Sequence, residues 1–485
     1  MDSILELIQT SIKKATSGLA ESETIEIEQV DEKLTPNMRA IRLAMTVADQ
    51  LLSMGAAASD VVHMALGVTN TYCKRKVHID ISHTLLTVSQ DRGIDREPLT
   101  IIRTIVPRTT NYQTIQQLQS LAVRARDRKI SLAAAEAELD EILANPRQYP
   151  NWVSNISGGG ISAGVCFMYD ASGTIVVLSF IVGVLANMLI KRLWKSGIPT
   201  FFVQIVTAFF VTVSAALLTW SVSHGYLDSI AYINPTYIIV GGIVLLVAGL
   251  MIVSAFQDAI DEYYMTASAR LLKVAMLTGG IVMGVAIGLY VARLLGITLL
   301  ATPDRLSLSS ISYQYVGAAI IAASFALGNH ARFTGVILAG ATGMLGYYSS
   351  LLALEIGVGL IPAYGFAAAV IGYVSTLISR AWRVPSIATI SAGIIPLVPG
   401  LSLYNGLMET VQNVPGSVEF NDGSTMLLRA LLIAVAIAAG ASFGNIVGRP
   451  VRRKLVQLHN RLPRRRLNRS SSLPPSNSQE LPAET

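Results

Sequence analysis

Two acids, Asp258 and Glu409, each lie nine positions past a glycine (258 − 249 and 409 − 400) at the end of a long apolar run. An ionisable side chain inside a membrane span costs roughly 2.5–3.5 kcal/mol on insertion scales, so it faces a cavity or a partner and can carry a proton. The alternative is a solvated helix end, which the neighbouring Asp261 and Glu262 favour for Asp258. Ser254, Tyr404 and Asn405 stand close to these acids in the chain and supply groups able to hold a small polar solute. Asp170, Asn187, Gln204, Gln257 and Asn329 add polar groups in or near apolar runs. His330, beside Arg332, reads more simply as part of a short loop.

The segments carrying these residues repeat. Gly242-Ile-Val-Leu-Leu-Val-Ala-Gly249-Leu250 returns as Gly393-Ile-Ile-Pro-Leu-Val-Pro-Gly400-Leu401, six of nine positions identical at an offset of 151 (393 − 242). Each copy has a proline upstream, Pro235 and Pro385. Internal repetition in a membrane region is how transporters expose one site to alternate sides. Chance similarity between Gly/Val/Leu-rich stretches is the competing explanation. Pro396 and Pro399 lie inside the second copy, where each removes a backbone donor. The first copy has Leu245 and Ala248 there, so the two sides of such a site are not equivalent. A helix broken in this way offers dipole ends and carbonyls to a charged solute. A simple proline kink is the alternative.

The elements that must position these groups follow from composition. Of 485 residues 52% are hydrophobic and 14% charged, against about 25% charged in an ordinary soluble domain. The deficit is local to the middle of the chain. A spanning helix needs roughly 20 mainly apolar residues. Ten candidates occur, near 151–169, 173–191, 199–221, 236–257, 272–296, 311–329, 333–353, 356–379, 387–408 and 426–447. The first is the weakest, because Ser157-Gly-Gly-Gly-Ile-Ser162 is polar. Basic residues follow the even spans: Lys191, Arg192 and Lys195, then Arg270 and Lys273, Arg332, Arg380 and Arg383, and Arg449 through Arg466. Tyr169–Gly173, Ser221–Thr236 and Leu354–Pro362 contain no Lys or Arg; Arg293 and Arg305 after span five are the exception. By the positive-inside rule both termini are expected in the cytoplasm. Five spans per half is odd, so the halves (151–300 and 301–448) insert in opposite senses as an inverted repeat.

Residues 1–150 read as a small α+β cytoplasmic domain, with helices over Asn37–Met54, Ser59–Leu66, Thr114–Arg128 and Ser131–Ala144, strands over Lys76–Ser82, Leu85–Ser89 and Thr100–Val106, and a short amphipathic helix at Ile4–Ile12. Residues 449–485 read as a basic, then disordered tail. No secretory signal precedes the domain. His78, Asp80 and Ser82 share one strand face; a catalytic arrangement would join them with Cys73 or His83, but the solvent face of an amphipathic strand is the reading these residues favour. No nucleophile elbow, phosphate loop or zinc spacing is present, so no metal or cofactor is expected and the chain is not read as an enzyme. The net charge of +6 comes largely from the tail and does not imply nucleic acid as a partner.

The order of parts resembles the threonine/serine exporter family, over most of residues 38–447. The resemblance rests on Met45–Gly67, on Gly242–Asp258, and on Gly393-Ile-Ile-Pro-Leu-Val-Pro-Gly400 with Tyr404. It implies efflux of L-threonine and L-serine across the plasma membrane, driven by the proton motive force. Related bacteria can carry the halves as separate proteins linked to dicarboxylate export, which makes a succinate-like substrate the runner-up. A membrane-anchored hydrolase is the other class, but anchoring needs one span and not ten. The expected fold is a polytopic α-helical membrane protein. Its expected pathway comprises Gly242, Gly249, Ser254, Asp258, Gly393, Pro396, Pro399, Gly400, Tyr404, Asn405 and Glu409, with protons and the bilayer as the other partners.

Overall fold

The computed structural model describes residues 35–92, 97–146, 149–224, 235–246, 249–297, 308–382, 384–399, 402–406, 409 and 418–461. The amphipathic segment expected at Ile4–Ile12, the Arg305 position and the chain beyond 461 lie outside these.

The N-terminal domain packs two helices on a three-stranded sheet and two more helices on those. Helix α1 (Pro36–Ser53) starts where the Thr35 hydroxyl accepts the Met38 amide at 3.4 Å and Pro36 fits the first turn. Its apolar stripe, Ile41, Met45, Ala48 and Leu51, is buried. Helix α2 (Ala58–Tyr72) runs longer than the pattern suggested, and its N-cap residue, Ala57, has no side chain that could cap its start. Strands β1 (Val77–Ser82), β2 (Leu85–Gln90) and β3 (Leu99–Thr104) form an antiparallel meander in which Ile81 pairs Leu86 and Leu86 pairs Arg103. The β1–β2 turn places His83 at φ 53°, a left-handed backbone. Helices α3 (Tyr112–Arg126) and α4 (Leu132–Ala144) complete the domain; Ser131 caps α4 by accepting the Ala134 amide.

The membrane region holds α5 (Asn151–Met168), α6 (Gly173–Lys195), α7 (Thr200–Ser223), α8 (Pro235–Leu246), α9 (Gly249–Ile260) and α10 (Tyr264–Leu294). The second half holds α11 (Ile311–Gly328), α12 (Phe333–Glu355), α13 (Leu360–Ala381), α14 (Ser386–Ile394) and α15 (Val418–Arg461). Among the described residues eight segments are long and apolar enough to cross a membrane. At 1.5 Å per residue a 23-residue helix such as α6 extends about 35 Å, enough for a hydrocarbon core of about 30 Å. Val177, Ile181, Leu185 and Met188 line its exposed face, as lipid contact requires.

The two expected spans that miss this standard do so for different reasons. Helix α5 forms over the expected residues but is too polar. From Ser157 to Val165 it is also surrounded, by α6, α8 and α11, so that stretch meets protein more than lipid. Its polar groups are partnered inside: the Ser162 hydroxyl donates to the Gly241 carbonyl at 3.0 Å, and the Asn187 amide donates to the Ser154 carbonyl at 2.6 Å. Expected span nine is interrupted after α14. Span ten, by contrast, continues as one helix into the basic segment, to Arg461.

The halves share a packing plan. In each, the fifth crossing lies along the third, α10 on α7 and α15 on α13, and the two first helices, α5 and α11, pack on each other between the halves. Both repeat copies lie near the N-terminal domain. Asp258, past the first copy, touches Ala58, whereas Ala388, ahead of the second, is buried in that domain's core.

Candidate functional site

The interruption after α14 follows from its prolines. In a continuous helix the amide of residue 396 would bond the Ala392 carbonyl, and that of 399 the Ile395 carbonyl; prolines offer neither. The chain tightens instead into a 3-10 turn, Ile395–Leu397, and Val398 turns extended at φ −66° and ψ 128°. The Ile395 amide then reaches Ala392, and the Val398 amide reaches Ile395 at 3.2 Å. The expectation of bare carbonyls is thereby corrected at Ala392 and Ile395, since tight local bonds recapture both. The break is seated on α12: a Cβ added at Gly393 would stand 3.1 Å from the Thr342 hydroxyl and 3.0 Å from Ile371 on α13, and the Pro396 ring lies beside Gly343. Pro399 is buried.

After the break, residues 402–406 are helical and lie across the first half. Tyr404 is 2% exposed and packs in a cluster with Cys166, Ile238, Ile239 and Ile243, all first-half residues. Its hydroxyl has no hydrogen-bond partner among the described residues, nor has the buried Asn405 Oδ1. The same cluster contains Leu246, whose carbonyl takes the Gln204 amide at 3.3 Å, while the buried Gln204 Oε1 is unpartnered among the described residues. Leaving such a group dry and unpaired costs about 1–3 kcal/mol. The polar atoms therefore suit a solute entering between the halves.

The first repeat copy is described on both sides of 247–248. Gly242 abuts Val211 on α7, Gly249 opens α9, and Ser254 is half-buried. Gly400 lies outside the described residues. Glu409 is half-buried.

Asp258 is neither a solvated end nor a neighbour of the break. It is fully buried. Its Oδ2 stands 2.6 Å from Arg270 Nη1, an ion pair without hydrogen-bond alignment. Its Oδ1 accepts the Ala58 amide at 3.3 Å, at the start of α2. A carboxylate there serves both an orphan amide and the positive end of the helix dipole. Arg270, expected in an exposed loop, is 15% exposed inside this seam.

In the soluble domain His78 and Asp80 are exposed and line a shallow cleft of about 340 Å³ with Leu66 and Ser89. Burial pushes the Cys73 thiol up, away from the thiolate a nucleophile needs. Its Sγ donates to the Asn37 carbonyl. Burial, then Arg270 and Lys273, push His83 down. Among the described residues the strand face carrying His78 and Asp80 is a solvated surface.

The sequence reading missed a second repeat. Gly280, Gly284 and Gly288 on α10 meet Phe201, Ile205 and Thr212 of α7; Gly440, Gly444 and Gly448 on α15 meet Gly365, Ala369 and Thr376 of α13. A Cβ at Gly284 would stand 2.8 Å from the Ala208 Cβ, and one at Gly444 would fall on the Ala369 carbonyl. Three glycines at four-residue spacing place a smooth stripe along one helix face, which lets backbones touch. That spacing was visible in both halves, 160 positions apart (440 − 280). Lys191, whose ammonium donates to the buried Asn155 Oδ1 at 2.8 Å, also carried no sequence signal beyond loop charge.

Comparison with known proteins agrees with this architecture. A family model described as "Putative threonine/serine exporter" matches residues 42–292, and one described as "Threonine/Serine exporter, ThrE" matches residues 314–447. The chain is 30% identical over 419 residues to the threonine/serine exporter of Corynebacterium glutamicum, covering 85% of this chain and 83% of the relative. It is 30% identical over 424 residues to a probable threonine/serine exporter of Mycobacterium tuberculosis, covering 85% and 77%. No solved structure matches. The chain is thus a multi-pass membrane protein that belongs to the threonine/serine exporter family.

Proposed function

We propose that this protein is a secondary exporter of small hydroxy amino acids, L-threonine and L-serine, across the plasma membrane. The proton motive force drives it, and both termini lie in the cytoplasm: ten spans put them on one side, and the basic loops mark that side as the inner one. The carrying observation is the Tyr404 hydroxyl just past the broken helix, buried in a cluster of first-half residues and without a hydrogen-bond partner among the described residues. Gln204 Oε1 and Asn405 Oδ1 are acceptors suited to an ammonium; the Tyr404 hydroxyl can donate to a carboxylate or pair with the substrate hydroxyl. Gly242, Gly249, Gly393, Pro396 and Pro399 are the backbone positions assigned to that pathway, with Ser254 and Glu409 as further polar groups; Gly400 is assigned with them from the sequence repeat alone. At roughly 150 mV one proton supplies about 3.5 kcal/mol, enough for a gradient of a few hundredfold.

The test is efflux from proteoliposomes carrying the purified full-length protein, loaded in turn with threonine, serine and succinate under an imposed proton gradient. Threonine and serine leave against their gradients and succinate does not. Transport of succinate alone would move the assignment to dicarboxylates. Transport of none would end the exporter reading.

A further inference from the structure

We infer that the N-terminal domain is a gate: it clamps the two membrane halves together on one face and must undock for the substrate to pass. The inference rests on the exporter reading, and it starts from what the domain touches. On the first half it grips the α9–α10 turn. Asp258 accepts the Ala58 amide, Arg270 Nη2 reaches the Ala56 carbonyl at 3.4 Å, the Ser59 hydroxyl donates to the Asp261 carboxylate, and the His83 amide donates to the Thr266 hydroxyl at 3.1 Å. On the second half the Tyr112 amide donates to the Asn329 carbonyl at 2.9 Å, at the end of α11. The Tyr112 hydroxyl bonds Ser391 on α14. Ala331, Ala388 and Ala392, at most 2% exposed, are part of the domain's own apolar core.

Helix α14 is the short helix that leads into the broken segment, so the domain holds the element that carries the proposed site. Alternating access needs the halves to rock against each other. A single packed body bonded to both halves opposes that motion on its own face. Apolar cores are bistable and do not stretch, so the seam opens by separating. Asp258 is the natural latch, because one carboxylate holds both Arg270 and the start of α2. Its loss leaves a buried cation unpaired and an amide orphaned together.

Two reversible cross-links test the gate in full-length protein, with Cys73 and Cys166 replaced. Ser59→Cys/Asp261→Cys ties the domain to the first half, and Tyr112→Cys/Asn329→Cys, whose backbones bond at 2.9 Å, ties it to the second. A control pair, Ser89→Cys/Thr100→Cys, whose native hydroxyls are 3.0 Å apart, bridges two strands inside the domain. Reduced proteins export threonine; oxidation of either seam pair slows export at least tenfold, reductant restores it, and the control pair is unaffected. Seam-linked protein exporting at the reduced rate overturns the gate, as does equal inhibition by the control pair. If the unmutated protein moves no threonine, it is the exporter reading that fails. A measurement on the unmutated protein guards against seam variants that do not fold: the Ala58 and Tyr112 amides exchange hydrogen at least tenfold faster during turnover than at rest. Equal protection in the two conditions overturns the gate as well.

Discussion

Replacing Asp258 by Ala removes the carboxylate that joins α9, α10 and the start of α2. Its Oδ2 stands 2.6 Å from Arg270 Nη1, with Asp258 fully buried and Arg270 15% exposed. At an effective dielectric of 20 the bare attraction is about 6 kcal/mol (332/(20 × 2.6)), most of it offset by desolvating both charges. The net value of the pair is therefore small, but breaking it from one side is not. Removing one partner leaves a buried charge behind and costs about 3–5 kcal/mol. The lost cap at Ala58 adds about 1 kcal/mol. Thermal unfolding of the purified full-length protein in detergent is the assay. Asp258→Ala and Arg270→Ala each lower the transition by several degrees. The double variant Asp258→Leu/Arg270→Met recovers most of the loss, because an apolar pair of similar volume needs no partner. Asp258→Asn falls between, since its Oδ1 still accepts the Ala58 amide but the charge is gone. If Asp258→Ala melts with the parent, or the two single losses simply add in the double variant, the pair does not hold the seam.

Tyr404→Phe removes a hydroxyl that the surrounding apolar cluster does not satisfy; export falls at least tenfold while thermal stability is unchanged or higher, and a stable variant with full export would take Tyr404 out of the site. Gly444→Leu forces α15 off α13 and prevents folding, read as loss of the monodisperse peak after solubilisation, whereas a Leu at the exposed Phe443 leaves that peak intact. Acid loosens the seam. His330 is pushed below its ordinary value by burial first and by Lys191 of α6 second, and its Nδ1 accepts the Tyr149 amide; His83 is pushed down by burial, then by Arg270 and Lys273 of α10. Both resist protonation more when folded than when unfolded, so their contribution is complete above about pH 6.5 and is lost as pH falls through the lower folded values. Stability therefore declines below about pH 6.5, and His330→Asn together with His83→Asn flattens that decline; an unchanged pH profile in the double variant would refute it. A cysteine at Ser196 stays unlabelled by an impermeant reagent in intact cells, whereas one at Ser223 is labelled; the reverse pattern overturns the orientation.

Much of the architecture was written in the chain because local rules suffice for it. Apolar runs of bilayer length marked the strongly hydrophobic helices, since a span exposed to lipid must be apolar along its own length. Helix α5 escaped that rule because its neighbours, more than lipid, surround it: Ser162 and Ser154 look unfit for a span until Gly241 and Asn187 are beside them. The α+β domain was legible for the same local reasons, down to Ser131 capping α4. Pro396 and Pro399 announced the break, because a missing amide acts on its own turn. What that break leaves open was not legible: carbonyls at Ala392 and Ile395 are retaken by amides one turn away. Asp258 shows the limit most plainly. Its position after Gly249 suggested a pathway acid or a wet helix end, and only the docking of α2 against α9 and α10 made it half of a buried pair. Sequence determines what a residue can do within its own turn of helix; its partner 200 positions away in the chain is decided by how the domains pack.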